Sequence, residues 1–344
     1  MNTKTLIRIL KCSIFGAGIL LSPSLAEAQT SSIVPMGAFR VTINAGSVEI
    51  PVTSAFAISL LDVPAASGAM VGRINALTAA TITATGANWA TGALAMASFP
   101  YAFQITSGAA AGATFSITAN TTDTLTTSGV DLTTLGLTTG STGDTFRLIP
   151  IDTLNTLFGS STFLGGTSSA GADIITLASS LQLSYYYNTS VGHWVRTTGP
   201  TTDHGNTPIP LNGMISVTRK SSAMTLTLVG RVPDVRFSVV VPNSGSTYTH
   251  TGFPTDVSLG TLSLQTALPG WVSAPAAANA DTLWVNSGAI WLTYFYNGSY
   301  WQRTTGPATN HNSVIVNAGT PILIFKSGTA TGSSTFIRNV PYSL

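Results

Sequence analysis

The chain is short of cysteine, charge and glutamate. Cys12 is its only cysteine, so no intramolecular disulfide can form, and the residues beyond the N-terminal leader offer no thiolate as a ligand or nucleophile. Charged residues make up 8% of the 344 positions, Glu is confined to Glu27 and Glu49, and beyond residue 28 Lys occurs only at Lys220 and Lys326. A chain so poor in Glu and Lys is badly furnished for solvent-facing helix, whereas its many Thr residues suit half-exposed strands. Recognisable chemistry is scarce as well. The acids are scattered singly, and no G-x-S-x-G elbow, H-E-x-x-H pair or phosphate loop occurs. The expectation is a non-enzymatic protein with no catalytic residues, no cofactor and no metal.

What is present begins with a leader. Lys4, Arg8 and Lys11 precede an apolar run from Ser13 to Leu21, and Ala26-Glu27-Ala28 has the small-x-small form that a signal peptidase cuts after. Residues 1–28 read as a cleavable signal peptide, which implies a secreted or cell-surface protein. Their removal takes away three bases and Glu27, lowering the formal charge from +2 to 0. A neutral chain lacks the basic footprint that nucleic acid requires and gains no steering toward an anionic membrane. After the leader no apolar stretch approaches the ~20 residues of a spanning helix, so no helical membrane span is expected.

The remainder repeats itself. Trp194 to His204 reads WVRTTGPTTDH and Trp301 to His311 reads WQRTTGPATNH, identical at eight of eleven positions and 107 residues apart. Ala172-Asp173 recurs at Ala280-Asp281 and Val232-Pro233 at Val340-Pro341, each 108 residues on. Just before the second block, Leu292 to Arg303 sets Asn297-Gly298 between alternating aromatic strands, a strong hairpin signal. A two-residue turn at Asn297-Gly298 would pair Tyr294 with Trp301 on one face and Phe295 with Tyr300 on the other. The first copy carries Tyr185-Tyr186-Tyr187 and Trp194 across a loop two residues longer.

Phe39 to Ile43 and Ala55 to Leu61 read as first-copy counterparts of strands at Val235 to Val241 and Val257 to Leu264. Between them, residues of about 68–150 carry β patterns of their own at Tyr101 to Thr106, Ala113 to Thr118, Thr124 to Thr127 and Thr145 to Ile149. IDTLNTLF, Ile151 to Phe158, is the one candidate helix. The expected fold is all-β, with two tandem β-sandwich-like repeat domains and a small β insertion in the first. The boundaries are 1–28 signal peptide, 29–233 first repeat with the inserted subdomain at about 68–150, and 234–344 second repeat.

The aromatic hairpins, Gly143 to Pro150 (GDTFRLIP), Pro100 to Gly108 (PYAFQITSG), the paired Ala-Asp positions and the final Val-Pro-Tyr together resemble a family of secreted verrucomicrobial-type proteins of uncharacterised function with tandem aromatic-hairpin β repeats. The likeness covers essentially the whole chain beyond the leader. It implies an exported β protein and carries over no catalytic or binding residues.

Candidate ligand contacts are therefore read from the residues. Tyr185, Tyr187 and Trp194, with Tyr294, Tyr296 and Trp301, either form a platform for sugar rings or serve as cross-strand core pairs. The opposite face, with Tyr186, Phe295 and Tyr300, is the one expected to be more exposed. Arg196 and Arg303 follow the tryptophans by two residues, where a guanidinium either stacks on a ring or holds a carboxylated glycan. His204 and His311 bring one imidazole per loop, beside Asp203 or Asn310, too few ligands for a metal. The functional expectation is a structural or adhesive protein of the cell envelope or extracellular matrix. A carbohydrate-binding module using Tyr186, Trp194, Arg196, Phe295, Tyr300, Trp301 and Arg303 is one alternative, and an outer-membrane β-barrel another. Expected partners are other copies of the chain, neighbouring envelope proteins or a polysaccharide.

Overall fold

Alternating Thr, Val, Ile and aromatic residues punctuated by glycine turns produce short strands throughout the described residues. The structure, a computed structural model, describes residues 36–45, 49–53, 69–159, 163–178, 183–209, 214–287, 290–329 and 331–343. The leader, Cys12 and the strand expected at Ala55 to Leu61 lie outside the described residues. Strands β1 (Met36–Ile43) and β2 (Glu49–Thr53) come first. Nine short strands follow: β3 (Val71–Arg73), β4 (Ala76–Leu77), β5 (Thr81–Thr83), β6 (Ala95–Met96), β7 (Phe99–Ile105), β8 (Thr114–Ser116), β9 (Ala119–Asn120), β10 (Thr124–Thr126) and β11 (Thr145–Pro150). Helix α1 (Leu154–Phe158) then leads to β12 (Ile174–Ala178), β13 (Leu183–Asn188), β14 (His193–Arg196), β15 (Met214–Thr218) and β16 (Met224–Arg231). The chain continues through β17 (Phe237–Pro242), β18 (Gly245–His250), β19 (Val257–Ser258), α2 (Leu259–Leu262) and α3 (Leu264–Ala267). It ends with β20 (Thr282–Asn286), β21 (Trp291–Tyr296), β22 (Trp301–Arg303), β23 (Ile315–Val316), β24 (Pro321–Lys326) and β25 (Ser333–Arg338).

The fold is all-β, its strands paired antiparallel in several separate sheets. Two of these sheets have five strands in corresponding order, β14-β13-β12-β15-β2 and β22-β21-β20-β24-β18. Two ribbons, β1-β16 and β17-β25, correspond in the same way. In the first copy Ile175, Leu177, Ile215 and Val217 point from the sheet into a cluster shared with Ile43 and Leu226 of the ribbon. The same pattern recurs with Leu283, Val285, Ile322 and Ile324 against Phe237, Val241 and Phe336. Period-2 alternation thus buries one face of each sheet, and each fully buried aliphatic side chain contributes about 1.5–3 kcal/mol. Residues 35–344 belong to one unit, of which the two copies are parts.

Helices α1 and α2 occupy the same place in the two copies. Thr153 caps α1 by accepting the Thr156 N–H, and Ser258 caps α2 by accepting the Thr261 N–H. The first two amides of α1 donate to Thr207 and Gly205 at 3.1 and 2.9 Å, and those of α2 to Val314 and Asn312 at 2.9 Å each. Val257 to Leu264 is consequently helical for most of its length, where a strand was expected. IDTLNTLF is joined by α2 and α3 as a helix-bearing segment. Short capped turns of this kind leave too little apolar periodicity for a sequence reading to separate them from strands.

Between β2 and α1 stand the nine strands β3 to β11, whereas β18 and β19 are joined by residues 251–256 alone. Residues between 69 and 148 form a core of their own around Trp89, Phe103, Phe115 and Phe146. Strands β7, β8, β10 and β11 match the four β patterns expected there. Among the described residues no helix is long and apolar enough to cross a membrane.

Candidate functional site

The two hairpins place their aromatic residues alike. Tyr187 pairs with Trp194 and Tyr185 with Arg196 in the first copy, Tyr296 with Trp301 and Tyr294 with Arg303 in the second. The turn is therefore centred one residue later than expected, on Gly298-Ser299, and Phe295 faces Gln302 where a pairing with Tyr300 was expected. The cause is the Asn297 carboxamide oxygen, which accepts the amides of Ser299 and Tyr300 at 2.9 and 3.0 Å, while Gly298 takes φ of 100°. Because the slip is even, every ring keeps its face.

Those faces are buried. Trp194 and Trp301 are 0% exposed, and Tyr186 and Phe295, on the face expected to be open, are buried as well. Their rings offer no free surface for a sugar to stack on. Trp194 packs edge-on to Tyr187 at 5.8 Å and Trp301 to Tyr296 at 5.7 Å, as cross-strand pairs do. Phe163 covers Trp194 in the first copy and Trp271 covers Trp301 in the second. Tyr300 and Arg303 are half-buried and Arg196 is exposed, so these three remain reachable from solvent.

The polar residues at repeated positions are engaged within the fold. Asp173 accepts the backbone N–H groups of Leu164 and Lys220, at 2.8 and 2.7 Å, and the Arg219 guanidinium. Asp281 accepts those of Val272 and Ser327, both at 2.8 Å, and the Lys326 ammonium at 2.5 Å. Each is a buried carboxylate that clamps the loop before β12 or β20 to the end of β15 or β24. Lys326 is 3% exposed and corresponds to Arg219. His204 and His311 stand 5.6 Å edge-on from Tyr185 and Tyr294, and each donates its backbone N–H to the carbonyl of the hairpin tryptophan at 2.8 Å. Burial, then the nearby Arg196, holds His204 below the usual imidazole value. Asp203 and Asn310 accept the N–H two residues on, from Gly205 and Asn312, as turn formers do.

The outward faces of the two five-stranded sheets are where the copies part. On the first sheet the outward positions of β12, β13 and β15 include Thr176, Ser184, Ser216 and Thr218 beside Ile174 and the buried Tyr186, and Thr176 and Ser184 share a hydroxyl hydrogen bond at 2.8 Å. The positions equivalent to Thr176, Ser216 and Thr218 on the second sheet are Trp284, Leu323 and Phe325. Tyr248 of β18 and Trp291 of β21 lie on the same face, their rings edge-on at 6.2 Å. Trp284 is 36% exposed and Phe325 38%, and the Trp284 indole N–H donates to the Thr282 hydroxyl at 2.9 Å. None of these residues belongs to the inner core cluster. No family model, no curated protein and no solved structure matches this chain. Its function has to be argued from its own side chains.

The strictest identities between the copies fall on the hairpins and not on this face. The signal lay in the differences between the copies, Thr176 against Trp284 and Thr218 against Phe325, at alternate positions of strands already matched by spacing.

Proposed function

We propose that this is an exported, non-enzymatic structural or adhesive protein of the cell envelope or extracellular matrix, built from two tandem sandwich-like repeats with a small β insertion in the first. The observation that carries the reading is the use made of the repeated polar residues. Asp173, Asp281, Asp203 and Asn310 spend their oxygens on backbone amides and buried cations, which is scaffold chemistry. The leader with its Ala26-Glu27-Ala28 end supports export, and membership of the secreted aromatic-hairpin family is part of the same proposal.

Fractionation of cells that make the protein tests the reading. The chain should be recovered from the envelope or the medium with an N-terminus near Gln29. Recovery of the uncleaved chain from the cytoplasm would overturn it.

A further inference from the structure

We propose that the outward face of the sheet β22-β21-β20-β24-β18 binds a neutral polysaccharide chain, with Trp284, Trp291 and Tyr248 as stacking rings and Phe325 at their flank. This rests on the adhesive reading and names its partner. Three observations lead to it.

The first is chemical. Among the described outward positions of this face the one acid or base besides the tyrosine is His250, which is 3% exposed and packed against Phe237, and the others, Ser246, Phe325, Trp284, Thr293 and Gln302 among them, carry no charge. An anionic or cationic ligand would find no counter-charge there. Aromatic faces carry negative charge density that attracts the polarised C–H groups of a sugar ring, and the interspersed hydroxyls and carboxamide suit sugar hydroxyls.

The second is preorganisation. The hydrogen bond from the Trp284 indole to Thr282 at 2.9 Å and the edge-on contact of Tyr248 with Trp291 hold three rings in place before any ligand arrives. Rings already fixed lose little side-chain entropy on binding.

The third is area, which separates a glycan from a second copy of the chain. Aromatic side chains present about 150–250 Å² each, so Trp284 and Phe325, exposed by a third or so, leave roughly 110–185 Å² between them, and Tyr248 and Trp291 are half-buried. A stable dimer needs about 800 Å² from each partner. A row of a few rings on a face where Leu323 and Phe295 are themselves buried suits a linear chain of sugars, and a polymer with many equivalent units compensates for weak single contacts by multivalency. The first copy keeps Thr176, Ser216 and Thr218 at the matching positions, so the surface is particular to the second copy.

Affinity electrophoresis of the whole leader-free protein through gels containing hydroxyethylcellulose, xylan, galactomannan or laminarin tests the proposal, with a sugar-free gel as reference. The expected result is retardation by at least one of the four, weakened about tenfold in Trp284→Ala and in Trp291→Ala and largely restored in Trp284→Tyr, at unchanged unfolding midpoint. Absence of retardation in all four gels, or retardation that both alanine variants retain, overturns it. So does a concentration-dependent dimer in sedimentation that Trp284→Ala abolishes, since the face would then belong to a second copy. The envelope reading fails separately, by fractionation, so the two outcomes can be told apart.

Discussion

Asp281 and His250 illustrate two ways of burying a polar side chain in this protein. Asp281 is surrounded by donors, two backbone amides, a hydroxyl and the Lys326 ammonium, so its charge is matched inside the fold. His250 is fully buried, with Phe237 stacked against it at 4.6 Å, and its Nδ1 accepts the Gly252 N–H at 2.8 Å, which leaves the proton of the neutral ring on Nε2. That Nε2 has no hydrogen-bond partner among the described residues. Burial, with a smaller contribution from the Arg338 charge, pushes its pKa down to about 3. An unfolded histidine titrates near 6.5, so below that value the unfolded chain takes up a proton that the folded chain refuses. Stability held by the neutral ring is complete above about pH 6.5 and is lost progressively as pH falls toward 3. Urea unfolding at pH 7, 5.5 and 4 should therefore show a fall in stability with a slope of up to about 1.4 kcal/mol per pH unit from this group. In His250→Gln the fall over the same range should be smaller, and equal slopes in the two proteins would count against the assignment. Nothing in the sequence singled out His250, because its burial depends on Phe237 and Arg338 arriving from β17 and β25.

At the scale of elements, alternation predicted strand faces well and turn centres less well. The aromatic hairpins were legible because ring faces follow period 2, and a turn displaced by one residue moves the pairing by two and leaves the faces alone. The position of the turn was decided by the two backbone N–H groups, of Ser299 and Tyr300, that the Asn297 side-chain oxygen accepts in competition with the backbone turn. The coupling between the inserted strands and the rest was illegible. Arg236, just before β17, donates to the carbonyls of Gly108 and Ala111 at 2.7 and 2.8 Å and also to Ala109, and Arg147 of β11 pairs with Asp234 at 2.6 Å. Gly112 completes the seat, since a Cβ there would lie 1.9 Å from the Arg236 carbonyl oxygen. The inserted segment thus grips the linker between the copies. Arg236→Ala should leave both five-stranded sheets intact and loosen that linker, seen as faster protease cleavage near residues 232–236 with little change in far-ultraviolet circular dichroism. Unchanged cleavage would mean that Arg147 and Asp234 hold the junction without it.

At the scale of the molecule, residues 251–256 alone join β18 to β19, whereas nine strands stand between β2 and α1 and pack a core from their own side chains. A chain in which the segment between β2 and α1 is replaced by a connection copied from residues 251–256 should still fold cooperatively, with loss of the insertion's contribution alone. A chain recovered only as aggregate would mean that the first copy depends on the inserted core. The all-β class, the spacing of the recurring sequence blocks and the alternation of buried positions were determined by the sequence, because each rests on local residue preference or on repeated spacing. Only the tertiary structure decided that the hairpin tryptophans are enclosed, that Lys326 is the buried partner of Asp281, and that Trp284 and Phe325 stand exposed on the outward face. Exposure depends on what other parts of the chain cover, here Phe163 over Trp194 and Trp271 over Trp301, and such coverage is set by contacts between residues far apart in sequence.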